Sequence, residues 1–419
     1  MTRFNSIIYI FVSSLLLTAC VQEQEAIFSE PAAVRLNNAI GQIESSLTLA
    51  PNGWLMQYFA KPESPGYSML IRFSENGEVV IAAKNALVNN RYTESKSVFE
   101  IIGDNGPVLT FNTYNEVLHL FSTPENPAGI GLGGDYEFIV TSHSDDFIRL
   151  KGKKRNTQIS LIKLPADELW TEYLAAIENM QNSIIGETPL YFMVEGIRIT
   201  ATNGSSLVFD LQDNTINEAT QVPFIISKTG IKFYAPFVIS EEKAVQSFTL
   251  SSDGLRLVAD NDNSTYFVST PITTYLLSTN STFVIDTLQM SDHFKIPYNQ
   301  LAEQMKTRYN GNRNIDFIAL SYKTGFGNSF LLSTIPTVTK ANFKIDLTSR
   351  GVTSNEMTIK QTEGVYDLNG ELFFNQNSAI DVFWKALDGS YLLSSTLSMR
   401  EIRFTDKNNE SRFFVVKKR

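Results

Sequence analysis

Three prolines set the layout of this chain. Pro31, Pro165 and Pro297 each head a stretch whose apolar residues recur at helical spacing, and they stand 134 and 132 residues apart. Behind Pro31 the stripe is Leu36, Ile40, Ile43 and Leu47. Behind Pro165 it is Leu169, Trp170, Tyr173, Leu174, Ile177 and Met180. Behind Pro297 it is Tyr298, Leu301, Met305 and Tyr309. A proline in a first helical turn sacrifices no hydrogen bond, because the N–H it lacks has no partner there. Each stripe is followed by a strand-rich stretch, opening at Trp54, Tyr191 and Ile315. The pattern predicts three modules, 31–164, 165–296 and 297–419, each one amphipathic helix followed by an antiparallel meander. The repeat is one of layout; the residue identities do not recur.

The strand reading rests on alternation. Met69, Ile71 and Phe73 share one face, Glu75-Asn76-Gly77-Glu78 is a turn signal, and Val79 to Ala83 returns. In the first module the expected strands are 54–59, 68–73, 79–83, 98–102, 108–111, 117–121, 136–140, 147–151 and 158–164. In the second they are 191–200, 206–210, 222–226, 231–234, 248–250, 255–259 and 266–269. In the third they are 330–335, 343–347, 357–360, 372–374, 382–384, 391–393, 402–404 and 413–416. So short a turn spacing, with so few helices between strands, excludes a parallel α/β sheet. It predicts a mainly β protein whose meanders close as barrels or fold as sandwiches.

The first twenty residues read differently. Arg3 supplies a positive start, and Ile7 to Leu17 is an apolar run broken only by Ser13 and Ser14, the length of a secretory core and too short to span a bilayer. The run closes on Leu15-Leu16-Leu17-Thr18-Ala19-Cys20, which resembles a bacterial lipobox. The expectation is a signal peptide over 1–20, cut before Cys20, whose thiol takes a diacylglyceryl group, with palmitate-type acyl chains anchoring the protein. Cys20 is the chain's one cysteine, so no disulfide is expected. Residues 21–30 form an acidic leader, and Val21-Gln22-Glu23-Gln24-Glu25 resembles the surface-export signal of Bacteroidota lipoproteins. Two or three acyl chains hold a protein on a membrane without a transmembrane helix.

With 43% hydrophobic and 19% charged residues, the chain has ample material for packed cores. Its formal charge is −9, and the most basic run is the short Lys151-Gly152-Lys153-Lys154-Arg155. Nucleic acid, which demands neutralised phosphates, is not an expected partner.

Several runs together resemble a known family. They are Gly53-Trp54; Gly106-Pro107-Val108-Leu109-Thr110-Phe111 with Tyr114-Asn115 and Leu118-His119; Gly131-Leu132-Gly133-Gly134-Asp135-Tyr136-Glu137-Phe138; and Leu150-Lys151-Gly152-Lys153-Lys154. Across 30–240 the chain resembles the Bacteroidota lipoproteins grouped as domain of unknown function 4302. The resemblance implies a setting, because such proteins tend to be encoded beside SusC/SusD-like outer-membrane uptake pairs. It carries no catalytic motif.

Sites of known chemistry are hard to place on these residues. Gly129-Ile130-Gly131-Leu132-Gly133-Gly134 leads into a strand, whereas phosphate loops lead into a helix N-terminus; the functional reading left to it is a ligand-contacting lip of a barrel. His119, His143 and His293 have no partner at zinc-site spacing, and His119 is expected within a strand. His143-Ser144-Asp145-Asp146 has triad letters, but neighbours in one turn cannot take triad geometry among themselves. Asp260-Asn261-Asp262-Asn263-Ser264 begins like a calcium loop, yet Thr265 replaces the required Gly and Pro271 the closing Glu, so a hairpin turn is expected. Asn203-Gly204-Ser205 and Asn280-Ser281-Thr282 match a glycosylation pattern of little weight in a bacterial lipoprotein. Catalytic residues, metal ligands and cofactors are each expected to be none. The expected function is a non-catalytic surface lipoprotein of the outer membrane that binds a glycan or peptide, or docks on a SusC/SusD-like uptake complex. A hydrolase with dispersed carboxylates and a structural spacer are the alternatives.

Overall fold

A computed structural model describes residues 30–123, 131–186, 188–203, 207–212, 220–278, 281–351 and 354–419. Cys20, the leader before residue 30, Gly129, Ile130, Gly204, Ser205, Ser206 and Asn280 lie outside the described residues.

Three eight-stranded meanders follow one another, and each closes into a barrel. The first contains β1 (Trp54–Phe59), β2 (Gly66–Phe73), β3 (Glu78–Ala83), β4 (Thr93–Gly103), β5 (Pro107–Phe111), β6 (Glu137–His143), β7 (Phe147–Gly152) and β8 (Gln158–Lys163). The second contains β9 (Leu190–Val194), β10 (Ile197–Thr202), β11 (Val208–Gln212), β12 (Thr220–Ile226), β13 (Gly230–Ser240), β14 (Lys243–Leu250), β15 (Arg256–Ala259) and β16 (Asp262–Val268). The third contains β17 (Thr282–Met290), β18 (Arg313–Lys323), β19 (Gly327–Pro336), β20 (Thr339–Ser349), β21 (Glu356–Tyr366), β22 (Gly389–Ser395), β23 (Glu401–Asp406) and β24 (Asn409–Lys418). First and last strands close each ring: Trp54 pairs with Lys163, Met193 with Tyr266, and Phe283 with Lys418. Closure removes the free edges that an open sheet exposes. Of the two architectures left open by the sequence, the structure takes the barrel.

Each interior is filled by side chains, as eight strands permit. Trp54, Met56 and Tyr58 of β1 meet Ile71, Phe111 and Phe138 in the first barrel. The second is packed with phenylalanine: the ring of Phe192 stacks on Phe267 at 4.5 Å, and Phe209 on Phe224 at 4.3 Å. The third encloses Phe330, Phe343, Phe404 and Phe414. β1 is buried along its whole length, so its sequence WLMQYF does not alternate in polarity. Its outward residues are covered too.

The cover is α2 (Trp170–Ile184). Its Trp170, Tyr173, Leu174 and Ile177 pack on Leu55, Leu70, Val80 and Ala82 of the first barrel and on the second barrel's core, forming one continuous apolar cluster. Gly66 lets β2 approach closely here, since a Cβ would meet Ile225 and Phe59 at 2.6 Å. The first two barrels are therefore docked rather than strung apart. Helix α1 (Ala32–Thr48) follows Pro31 as expected and buries Ile43 and Leu47 against the first barrel.

The other helices depart from expectation. α2 starts at Trp170, five residues after Pro165, because Asn52 Nδ2 draws on the carbonyls of Pro165 and Glu168 at 2.6 and 2.7 Å and holds that stretch as a turn. After the short α3 (Ile272–Leu276), α4 spans Asp292–Arg308 with Pro297 inside it. It begins where Ser291 is tied to β24, Ser291 N donating to Phe413 O at 2.9 Å and Phe413 N to Ser291 Oγ at 3.0 Å. The third barrel's first strand, β17, precedes this helix, so a boundary at 297 cuts through the third unit. Residues 372–374 and 382–384 are helical, in α5 (Leu368–Gln376) and α6 (Ser378–Ala386), not strands. The expected strand 191–200 is a hairpin, broken at Glu195-Gly196, where both residues have positive φ (49° and 83°). Residues 117–121 are a turn and a 3₁₀ helix (His119–Phe121).

Asp367 organises the third barrel's helices. Its carboxylate accepts from Gly370 N at 2.9 Å, capping α5, and from Asn342 N and Nδ2 at 3.1 and 2.8 Å, and it pairs with Lys323 at 2.7 Å. Burial alone raises its proton affinity; Lys323 and the donated hydrogen bonds outweigh that, and the net shift is downward. A carboxyl held below its unfolded value stabilises the fold above that value, about pH 3.9, and loses the contribution as pH falls through the folded one. Asp367→Ala is expected to cost about 2–3 kcal/mol at neutral pH. It is also expected to flatten the acid limb of the third barrel's stability in urea titrations between pH 5 and 2. An unchanged acid limb refutes the assignment.

Candidate functional site

Three of the four runs that carry the family resemblance reach one end of the first barrel; Gly53-Trp54 lies at the other, where Leu164 N donates to Gly53 O. Beyond β5 the chain leaves the sheet and folds over the barrel mouth. Asn115, fully buried, fixes that fold: its Oδ1 accepts from Val117 N and Leu118 N at 3.1 Å, and its Nδ2 donates to Ser95 O and Ser97 Oγ at 3.2 and 3.1 Å. Val117, Leu118 and Phe121 then drop into the core, Phe121 lying 4.6 Å from Tyr58. These are the apolar letters that suggested a strand.

The return from residue 131 into β6 packs on that plug. Gly134 N donates to Phe121 O at 2.8 Å, and a Cβ at Gly134 would run into the Tyr58 hydroxyl. Tyr58 OH donates to Asp135 O at 3.0 Å; burial, then the Asp135 charge, pushes the phenol's proton affinity upward. The Asp135 carboxylate is itself buried and accepts Lys154 N and Arg155 N at 3.2 and 2.7 Å. It thereby latches the β7–β8 turn to the β6 entry, and Arg155 Nε adds a bond to Gly133 O at 3.1 Å. Gly152 has no room for a Cβ beside that carboxylate. The glycines and the aspartate of the two motifs are accounted for by this latch.

The aromatic residues are not. Tyr114 and Tyr136 are 59% and 44% exposed, large values for rings that the fold does not require outside. Between them stands His119, its ring 5.3 Å from Tyr114 and stacked 5.2 Å from Tyr136 at 26°. His119 Nδ1 accepts from Asn115 N at 3.0 Å, which places the ring proton on Nε2. Burial lowers its proton affinity, so the ring is neutral at pH 7. Beside Tyr136 opens a cleft of 600 Å³ lined by Glu137, Lys153, Lys154, Arg155 and the Gly133–Asp135 backbone. Lys153 sits between Asp104 and Glu137 at 3.0 and 3.3 Å, and both contacts raise its proton affinity. The site is thus a three-ring platform beside a cleft rich in donors and acceptors.

A larger cleft, 810 Å³, lies on the third barrel between α4 and the α5–α6 junction. Two of its amides are engaged in helix packing. Gln304 Oε1 accepts from Ala379 N at 3.0 Å, and Gln376 Oε1 accepts from Tyr309 OH at 2.7 Å.

The remaining sequence candidates scatter. His143 is exposed in the β6–β7 hairpin and Ser144 Oγ bonds the Phe147 backbone at 3.1 Å, so these residues form a turn and no triad. His293 lies on α4, its ring edge-on to Phe294 at 4.7 Å. Asp262 spends its oxygens on Ser264 Oγ (2.7 Å), Thr265 Oγ1 and Lys243 (2.8 Å), at the expected hairpin turn between β15 and β16. Among the described residues no group of three or more His, Cys, Asp or Glu side chains converges. No helix among them is long and apolar enough to cross a membrane.

Among the solved structures that match over most of the chain are three DNA polymerase β subunits, the first two of DNA polymerase III. That of Streptococcus pneumoniae TIGR4 has 11% identity, covering 90% of this chain and 97% of that one, with a TM-score of 0.14. That of Thermotoga maritima has 10% identity, 92% and 97% coverage, and a TM-score of 0.14. That of Streptococcus pyogenes has 12% identity, 92% and 97% coverage, and a TM-score of 0.15. Scores of this size transfer neither fold nor function. No curated protein matches the sequence. The family described as "Domain of unknown function (DUF4302)" matches residues 24–252, more than half of the chain and all of the platform, and the protein belongs to that family.

Proposed function

We propose that this protein is a non-catalytic surface lipoprotein, anchored through Cys20 to the outer membrane of a Bacteroidota cell, that captures glycan on the Tyr114–His119–Tyr136 platform for a SusC/SusD-like uptake pair. The observation that carries the reading is the exposed aromatic stack. Flat apolar faces flanked by fixed polar groups suit sugar rings, which have C–H faces and hydroxyl rims. The Nε2 proton of His119 and the side chains of Lys154, Arg155 and Glu137 supply that rim.

The carboxylates support a binding role over hydrolysis. Several carboxylates share a lysine, as Asp286 and Glu401 share Lys417, each at 2.9 Å. Asp253, Asp262, Asp286, Glu356 and Asp367 are all shifted downward, the opposite of what a glycosidase acid needs.

Both tyrosines are exposed, so Tyr114→Ala with Tyr136→Ala is expected to leave the melting temperature within a degree or two. At about 0.5–1.5 kcal/mol per stacked ring, the pair is expected to weaken glycan binding on the order of tenfold to a hundredfold. The measurement is calorimetry against polysaccharides that bind the unmodified protein. Unchanged affinity in the double variant, or no binding by the unmodified protein to a broad glycan panel, removes the reading.

A further inference from the structure

A second cleft lies where the outer faces of the first and second barrels meet, with a volume of 400 Å³. Its floor follows from register. Gln57 on β1 pairs with Ser160 on β8, and Ser160 pairs with Arg149 on β7, so the three side chains form one row across the outside of the first barrel. From the second barrel, Lys232 on β13 reaches over the row and donates to Gln57 Oε1 at 3.2 Å. One wall is aromatic. Tyr234 meets Phe59 edge-on at 5.1 Å, and Arg149 lies over the ring of Phe147 at 5.5 Å.

The electrostatics of this cleft are lopsided. Two cations face it, and among the described residues neither has a carboxylate within ion-pair distance, whereas Lys84 has Glu178 and Lys228 has Glu168. Lys232 is half-buried, and burial, then the charge of Arg149, lowers its proton affinity. A half-buried ammonium beside a guanidinium is disfavoured without a counter-charge, because each disfavours the charged form of the other. Gln57 offers Lys232 one neutral acceptor for three N–H donors. Arg149 is exposed and Lys232 half-buried, so the pair presents two positive groups toward the cleft with only neutral acceptors around them, a setting that favours an anion.

We propose that this cleft binds a small molecule bearing an oxyanion, carboxylate or sulfate, held between Lys232 and Arg149, with the rest of the ligand lying against Phe147 and Tyr234. An acidic sugar meets all of these demands: its charged group answers the two cations and its ring faces the aromatic wall. The site uses neither the Tyr114–His119–Tyr136 platform nor its latch, and it does not depend on the function assigned there.

The test uses the full-length protein, with glucuronate, inorganic sulfate and glucose as probes in calorimetry. Glucuronate and sulfate are both expected to bind. Lys232→Met and Arg149→Met, which keep a long apolar stem, are each expected to weaken both by tenfold or more and to leave any response to glucose unaltered. Tyr114→Ala with Tyr136→Ala is expected to leave glucuronate binding intact, which separates this site from the platform. Glucuronate binding tighter than sulfate assigns a role to the aromatic wall, and equal binding describes a bare oxyanion site. A ligand-free readout guards against misfolding: Lys232→Met removes an uncompensated charge and is expected to melt no lower than the unmodified protein, while sulfate raises the melting temperature of the unmodified protein alone. Failure of both anions to bind, or binding by either methionine variant as tight as that of the unmodified protein, overturns the proposal.

Discussion

Replacing Trp384 with alanine is expected to destabilise the third barrel by about 3–5 kcal/mol, the range for truncating a large aromatic side chain in a packed core. Trp384 is fully buried in the apolar cluster of the third barrel, 5.5 Å from Phe343 and 6.2 Å from Phe374 by ring centroids. It joins α6 to the barrel interior and to α5, so the void left by alanine opens at the junction of three elements, where neighbours cannot easily close it. Among the described residues the indole N–H has no hydrogen-bond partner. Trp384→Phe therefore removes an unpaired donor along with volume, and it is expected to cost well under half as much as alanine. Hydrogen exchange of the β19 and β20 amides reads the third barrel separately from the others. Equal loss of protection in the phenylalanine and alanine variants contradicts this account, as does an alanine cost below about 1 kcal/mol.

The same junction shows what the amino-acid sequence conceals. Residues 372–374 and 382–384 are short apolar runs, and a run of three letters does not distinguish strand from helix. The distinguishing signals lay beside them. Asp367 precedes an acidic first turn, and Ile380, Phe383, Trp384 and Leu387 recur at helical spacing. By contrast, most strands of the meanders were legible, because one face is core and the other is water along most of them; β17 and β18 were missed, and β9 and β10 were read as one strand. Their closure was not, since pairing β1 with β8 joins residues more than a hundred positions apart and leaves no local trace. β1 departs from alternation for a related reason: α2 and the second barrel cover its outer face, and only the tertiary arrangement reveals that.

The platform was half legible. Tyr114, His119 and Tyr136 all fall within the runs that carry the family resemblance, yet nothing in their spacing announces a stack. Residue 119 reaches residue 114 through a 3₁₀ turn that reads as a strand, and residue 136 arrives from the separate return into β6. Searches for nucleophiles, metal ligands and phosphate loops pass over such a site because its chemistry is shape and exposure. The glycine-rich run, read as a possible barrel lip, does border the cleft through Gly133 and Gly134.

The latch beneath the platform provides the sharpest separation of architecture from binding. Asp135→Ala is expected to cost the first barrel about 3–5 kcal/mol, because two backbone amides lose a charged acceptor in a buried setting, each such bond contributing about 1.5–3 kcal/mol. Asp135→Asn keeps one acceptor oxygen and is expected to cost roughly half of that. Gly152→Ala is expected to act on the same contact from the other side, since the new methyl group displaces the carboxylate. All three changes are expected to lower exchange protection in β6 and β7 and to weaken glycan binding in step with that loss, because Lys154, Arg155 and Tyr136 are held by the structure that Asp135 ties together. The tyrosine variants behave in the opposite way, losing ligand with protection intact. If Asp135→Ala keeps full protection in β6 and β7 yet loses ligand, Asp135 is a ligand contact and not a latch. If it keeps both, the buried hydrogen bonds around Asp135 contribute far less than their geometry implies.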